Sequence, residues 1–325
     1  MQIDGDLFQP GAVDPETAAF VDELSALSQA WPRPSDFASV GEFRDFWESD
    51  DGPFGPSVYV DWAEQRTLPT PDGAEIPIRV LQQDSSAAVL MWLHGGGFVI
   101  GHEDGSDPRL ERLGRATGVS AVSLGYRKAP EHKWPTAISD CEVAALWLIE
   151  NAQAEFGTTQ LFIGGISAGA SLAVATILRL RDHHGFTDWA GAVLLEGTYD
   201  FRPTRSRTIT NSDPLIDLET IEFFFDQYLS GTPAGDNLDS PEVSLVMADL
   251  TGLCPAHFTV GTRDPLLDEN LTMAGRWQVA GNPTELRIYP GATHAFTGFP
   301  IPVAAEANDH VHTWMKRRIG ATGLG

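Results

Sequence analysis

Apolar and polar residues fall into two regimes along this chain, and the change comes near residue 55. Before it, "DPETAAFVDELSAL" (14–27) places apolar residues at helical spacing behind Asp14 or Thr17 as N-cap, and "SVGEFRDFWES" (39–49) repeats the spacing. "DDGPFGP" (50–56) then stops any helix. Beyond it, "SVYVDWAEQRTLPT" (57–70) and "IPIRVLQ" (76–82) alternate, and the turn "PDGAE" between them predicts an antiparallel hairpin.

From residue 87 onward, short β-branched runs take turns with helical stretches. "AAVLMWLH", "VSAVSLGY", "QLFIGG", "AGAVLLEG", "AHFTVGT" and "TELRIYP" read as strands. "DPRLERLGRATG", "PTAISDCEVAALWLIENAQAEFG", "SLAVATILRLRDHH", "LDENLTMAGRWQVAG" and "VAAEANDHVHTWMKRRIG" read as helices. Strands that alternate with helices of this length predict a mostly parallel sheet covered on both faces, and the hairpin at its front makes it mixed, with eight strands. The long stretch from Thr198 to Ser244 breaks the rhythm with a loop and a helix bearing three consecutive phenylalanines. An insertion of that length is often an active-site lid. The expected division is therefore an N-terminal helical part of a cap (1–54), an α/β core (55–198 and 241–325) and an inserted cap segment (199–240).

Bulk composition narrows the partners. With 42% hydrophobic and 10% aromatic residues the chain can fill a globular core, while a formal net charge of -24 repels phosphate backbones and anionic lipid surfaces. Neither nucleic acid nor a membrane is expected as a partner, and the longest strongly apolar run, "AAVLMWL", is far too short to span a bilayer. Cys141 and Cys254 lie in apolar contexts and read as buried thiols rather than a disulfide framework. The acidic start "MQIDGDLFQP" shows no basic, apolar leader, so a cytoplasmic protein is expected.

The candidate chemistry sits at strand ends. "GISAG" (165–169) follows an apolar run and opens a helix, the context in which a serine flanked by glycines stands on a sharp strand-to-helix turn as a nucleophile; a plain helix N-cap is the competing reading for Ser167. "HGGGF" (94–98) closes the first core strand. With no Lys-Ser/Thr after it, it fits a backbone oxyanion hole better than a phosphate cradle. An acid and a base should follow in chain order, and "RDPLLDEN" supplies Asp264 and Asp268 while "GATHAF" supplies His294. Asp264, at the strand end itself, is the better-held acid, and Asp268 is expected to cap the next helix. His94 reads as a loop scaffold. Glu196 looks buried without a clear task, and pairing with an arginine of the lid is its expected role. No spacing points to a metal site.

Taken together, "HGGGF", "YRKAPEHKWPTAISD", "GISAGASLA", "DPLLDEN" and "GATHAF", in this order, resemble the hormone-sensitive-lipase-like esterases of the α/β-hydrolase superfamily. The resemblance implies the α/β-hydrolase fold, a triad of Ser167, Asp264 and His294, and oxyanion N–H groups from Gly96, Gly97 and Ala168, with Gly95 shaping the loop. It implies hydrolysis of short- to medium-chain esters through an acyl-enzyme, no cofactor, a small-molecule ester as partner, and it allows a homodimer. Phe43, Trp47, Phe223, Phe224 and Phe225 are candidates to line the pocket, or else the packing of the cap itself. The chain departs from the family at Ile166, often acidic there, and at Gly125, where the family often has aspartate; neither position carries a reacting group. An amidase or lactonase on the same triad, and a non-catalytic small-molecule receptor on the same fold, are the alternatives.

Overall fold

The computed structural model describes residues 2–55, 58–209 and 213–322. Its centre is one eight-stranded sheet: β1 (Glu64–Pro69), β2 (Glu75–Leu81), β3 (Ala88–Leu93), β4 (Val119–Leu124), β5 (Leu161–Ile166), β6 (Trp189–Leu195), β7 (Ala256–Gly261) and β8 (Thr284–Tyr289). The order across the sheet is β1-β2-β4-β3-β5-β6-β7-β8. The β1–β2 and β2–β4 pairs are antiparallel, and every pair from β4–β3 to β7–β8 is parallel. Strands β3, β4, β6 and β7 are buried along their whole length, as the unbroken apolar runs require of a sheet sandwiched between helices.

Ten α-helices accompany it among the described residues: α1 (Pro15–Ser28), α2 (Val40–Trp47), α3 (Asp107–Thr117), α4 (Thr136–Phe156), α5 (Ala168–His184), α6 (Arg205–Ile209), α7 (Leu218–Leu229), α8 (Pro233–Asp236), α9 (Leu267–Val279) and α10 (Pro302–Thr322). α4, α5 and α9 close one face of the sheet around Cys141, Leu148, Ile177 and Trp277. α3 and α10 close the other around Leu110, Leu113, Trp92 and Trp314. α3, α4 and α5 each end on a glycine in the left-handed region, with φ of 73°, 73° and 65°, a conformation that carries almost no cost without a Cβ. Asp14 caps α1 by accepting from Thr17 N–H at 2.9 Å, and Ser39 caps α2 through Glu42 N–H. Cys141 and Cys254 are buried and unpaired.

One expectation needs correcting. The first hairpin strand begins only at Glu64, although the alternation started at residue 57. Val60 gives its N–H to the buried Asp107 (2.9 Å) and its carbonyl accepts from Arg79 (2.8 Å), so these backbone groups are taken by α3 and a side chain instead of a neighbouring strand. Arg79 and Asp107 pair at 2.8 Å and fasten the segment to the sheet edge.

Candidate active site

Five strand ends converge on one place. β5 runs into Ser167, whose backbone adopts φ 55° and ψ -123°, a region rarely open to a residue with a side chain. The flanking glycines make that turn possible. A Cβ on Gly165 would lie 2.4 Å from the Gly169 carbonyl carbon, and one on Gly169 would lie 2.0 Å from the Leu93 carbonyl oxygen. Ser167 therefore stands clear of α5 at the point where that helix begins, where first-turn N–H groups lack intrahelical partners.

The structure brings Asp264, at the end of β7, and His294, in the loop after β8, to this serine. His294 Nε2 lies 3.0 Å from Ser167 Oγ, and His294 Nδ1 lies 3.0 Å from one Asp264 oxygen and 3.2 Å from the other. Asp264 is fully buried and also accepts from Leu266 N–H at 2.8 Å, so its orientation is fixed from two sides. Asp268, by contrast, does not cap its own helix. Its carboxylate accepts from Ser206 N–H at 2.8 Å, tying α9 to the 199–240 segment, while the N-cap position belongs to Leu266.

The electrostatics of the cluster are unusual. Burial works to lower the His294 pKa, but the carboxylates of Asp264, Glu196 and Asp213 outweigh it and lift it to about 9. Burial pushes Glu196 up to about 7 and Asp213 up to about 6, and the charge of Asp264 adds to both shifts. Among the described residues, Glu196, Asp264 and His294 form the one set whose donor atoms lie within 4.8 Å of one another, close enough to hold a cation, although two of the three are already engaged with each other.

The glycine loop lies opposite. Gly96 and Gly97 have φ of 113° and 57°, and Gly95 packs so closely that a Cβ would reach 3.4 Å from the Ser167 Cβ. No backbone hydrogen bond among the described residues uses the N–H of Gly96, Gly97 or Ala168. His94 holds the loop from beneath: its ring stacks on Tyr126 at 4.2 Å, its Nδ1 contacts Gly95 O at 2.7 Å, and Tyr126 Oη donates to His94 O at 2.9 Å. Burial drives the His94 pKa down to about 3, so the ring is neutral and donates from Nδ1, a scaffold as its sequence context implied.

Above Ser167 and His294 opens a cavity of about 460 Å³. Trp47, Phe224 and Phe225 line it, together with Ile216, Ile221 and Phe299. Phe43 and Phe223 do not. Phe43 is fully buried, with ring centroids 4.9 Å from Phe223 and 5.8 Å from Phe224, so these two rings form the joint between α2 and α7 behind the cavity wall. The expected partner of Glu196 is absent too. Arg207, the buried arginine of the 199–240 segment, pairs with Glu269, whereas among the described residues Glu196 forms no ion pair and faces the Thr297 hydroxyl.

Sequence reasoning passed over Asp213. Its carboxylate accepts from His294 N–H at 2.8 Å and from Leu215 and Ile216 N–H at 2.9 and 3.0 Å, joining the inserted segment to the histidine loop. Nothing around "SDPLID" marks that role, because its partner lies 81 residues away.

Known proteins share this architecture. A family model described as the alpha/beta hydrolase fold matches residues 90–298. An ethyl acetate hydrolase of Pseudomonas putida is 32% identical over 262 residues, covering 78% of this chain and 81% of that protein. A hyperthermophilic esterase from the archaeon Pyrobaculum calidifontis superposes with a TM-score of 0.81 at 27% identity, over 94% of this chain and 98% of the other. A hormone-sensitive lipase from a metagenome library superposes with a TM-score of 0.80 at 25% identity, over 94% of this chain and 99% of the other. With its mixed sheet, its serine elbow and these relatives, the chain belongs to the α/β-hydrolase fold family as a hormone-sensitive-lipase-like carboxylesterase.

Proposed function

We propose that the protein hydrolyses small, short- to medium-chain carboxylic esters through an acyl-enzyme on Ser167. The observation that carries this reading is the unbroken chain of contacts from Ser167 Oγ through His294 to the buried Asp264, with Ser167 and His294 lining the cavity. His294 Nε2 takes the serine proton as Oγ attacks the ester carbonyl, and Asp264 fixes the Nδ1–H tautomer and stabilises the imidazolium. The N–H groups of Gly96, Gly97 and Ala168 receive the developing oxyanion, and Gly95 keeps their loop against the serine. His294 returns its proton to the leaving alcohol, then activates a water that releases the acid.

Helices α1, α2 and α6–α8 act as a cap over the core. Arg33 pairs with Asp217 across it, Ser35 donates to Glu219 at 2.7 Å, and Arg44 bridges to Glu131 at 2.7 Å. Phe224 and Phe225 bound the acyl side of the cavity, whose volume suits a small ester. The relative named for ethyl acetate hydrolysis supports the short-chain preference. The acidic surface and two buried thiols favour a cytoplasmic enzyme acting on diffusible substrates; no helix among the described residues is long and apolar enough to cross a membrane.

Hydrolysis of p-nitrophenyl acetate, butyrate and decanoate by the wild type and by Ser167→Ala tests the reading. Loss of turnover by a factor of about a million in the variant is the expected result. Equal turnover in both proteins would remove Ser167 from the mechanism. Activity confined to aryl amides or lactones would move the substrate class.

A further inference from the structure

Glu196 is a buried acid that the reaction above does not use. It follows the last residue of β6 with a backbone φ of 51°, in the left-handed region, and is 0% exposed. Its N–H is held by Thr259 O at 2.8 Å, while among the described residues its buried carboxylate has no close hydrogen bond and only the Thr297 hydroxyl turned toward it. Such a group is costly to keep unless it acts on something nearby. An ion pair does not account for it. Arg109, the arginine that faces it from α3, gives its guanidinium to Asn308 Oδ1 at 3.0 Å and Thr297 Oγ1 at 3.1 Å.

What does surround Glu196 is the base of the site. One of its oxygens lies within 4.8 Å of an Asp264 oxygen and of a His294 ring nitrogen. The groups facing it are His294 from the loop after β8, Asp264 from the end of β7, Arg109 from α3 and the Thr297 hydroxyl from the turn before α10. Asp213 reaches the same histidine separately, through its backbone N–H.

We propose that Glu196 is a positioning residue for His294: its carboxylate acts through space, beside Asp264, to stabilise the imidazolium that forms when Ser167 gives up its proton. The proposal rests on the triad reading above. Glu196 exchanges no proton with the substrate; it sets how tightly His294 holds one. A carboxylate at this distance in a buried site is close enough to move an imidazole pKa by a unit or more, and the upward direction of the His294 shift includes its contribution. Asp264 supplies orientation and charge, and Glu196 supplies charge alone.

The test is the pH dependence of kcat/KM for p-nitrophenyl acetate in the wild type, Glu196→Gln and Glu196→Asp, with folding followed by circular dichroism. The wild-type acid limb is expected above the ordinary histidine value. In Glu196→Gln it moves to lower pH by about one unit, and the alkaline plateau falls roughly tenfold, because the imidazolium has lost a counter-charge. Glu196→Asp retains the charge one methylene further back and moves the limb the same way by less. A packing role would lower activity equally at every pH, so a Glu196→Gln limb that superimposes on the wild type overturns the proposal. If the glutamine variant does not fold, the aspartate variant decides, and an unmoved limb there has the same meaning. Ser167→Ala is measured alongside. Activity in that variant would reject the triad itself, whereas an inactive Ser167→Ala with an unmoved Glu196→Gln limb rejects only the part given to Glu196.

Discussion

Ser167, Gly96 and Gly97 are shaped by what lies within a few ångströms of their backbones. A Cβ on Gly97 would sit 2.2 Å from the Phe224 ring, and its φ of 57° already disfavours a side chain. Gly97→Ala is therefore expected to push the loop away from Ser167 and cost roughly a hundred- to a thousand-fold in kcat, the scale of a lost oxyanion donor. Adding Phe224→Ala should return part of that loss by removing the clash, and steady-state kinetics on the single and double variants checks both. If Gly97→Ala keeps wild-type turnover, its N–H does not hold the oxyanion. At this scale the sequence is legible where a motif is local. "GISAG", "HGGGF" and "GATHAF" each pack a chemical requirement into five or six residues, and the structure brings Ser167, Asp264 and His294 within hydrogen-bonding distance. The contacts of Asp213 and the surroundings of Glu196 were not legible, because both depend on groups brought close only by the folded chain.

Among the elements, α7 joins the most functions. Its N-cap Asp217 accepts from Thr220 N–H at 2.9 Å, its buried face meets α2 through Phe43, and Phe224 presses on the glycine loop from above the cavity. Shortening Phe224 should extend the cavity on the acyl side. Phe224→Ala is expected to raise the ratio of p-nitrophenyl octanoate to acetate hydrolysis several-fold, and an unchanged ratio would place the acyl chain elsewhere. The helices were readable from spacing and caps because those signals act within one or two turns. The extent of β1 was not, because Val60 alternates like a strand residue while Asp107 and Arg79 take its backbone groups. The aromatic run 223–225 was equally ambiguous. Helical geometry sends its rings to different sides, Phe223 into the joint with α2 and Phe224 and Phe225 toward the cavity.

For the whole molecule, charge is the dominant variable. A net charge of -24 makes the compact state repel itself, so added salt should stabilise it. At pH 8 the melting temperature is expected to rise between about 0.05 and 0.5 M NaCl by screening over a Debye length that shrinks from about 14 to about 4 Å. The buried cluster adds a pH dependence. Asp213, Glu196 and His294 all bind a proton more tightly folded than unfolded, with folded values near 6, 7 and 9. Their contribution is present at low pH and is lost as pH rises through those values, so stability should fall from about pH 5 to pH 9. Thermal unfolding across that range, flatter in Glu196→Gln than in the wild type, checks the sign; a melting temperature that climbs toward pH 9 would contradict it. The sequence by itself determined the alternation of strand and helix, the mixed eight-stranded sheet and the placing of Ser167, Asp264 and His294 at or just beyond strand ends, because periodicity, capping and turn chemistry are written in neighbouring residues. Only the tertiary structure decided which phenylalanines meet the cavity, that Asp213 ties the inserted segment to His294, and that Glu196 faces His294 without a hydrogen bond. Those facts depend on distances between residues far apart in the chain, which packing alone fixes.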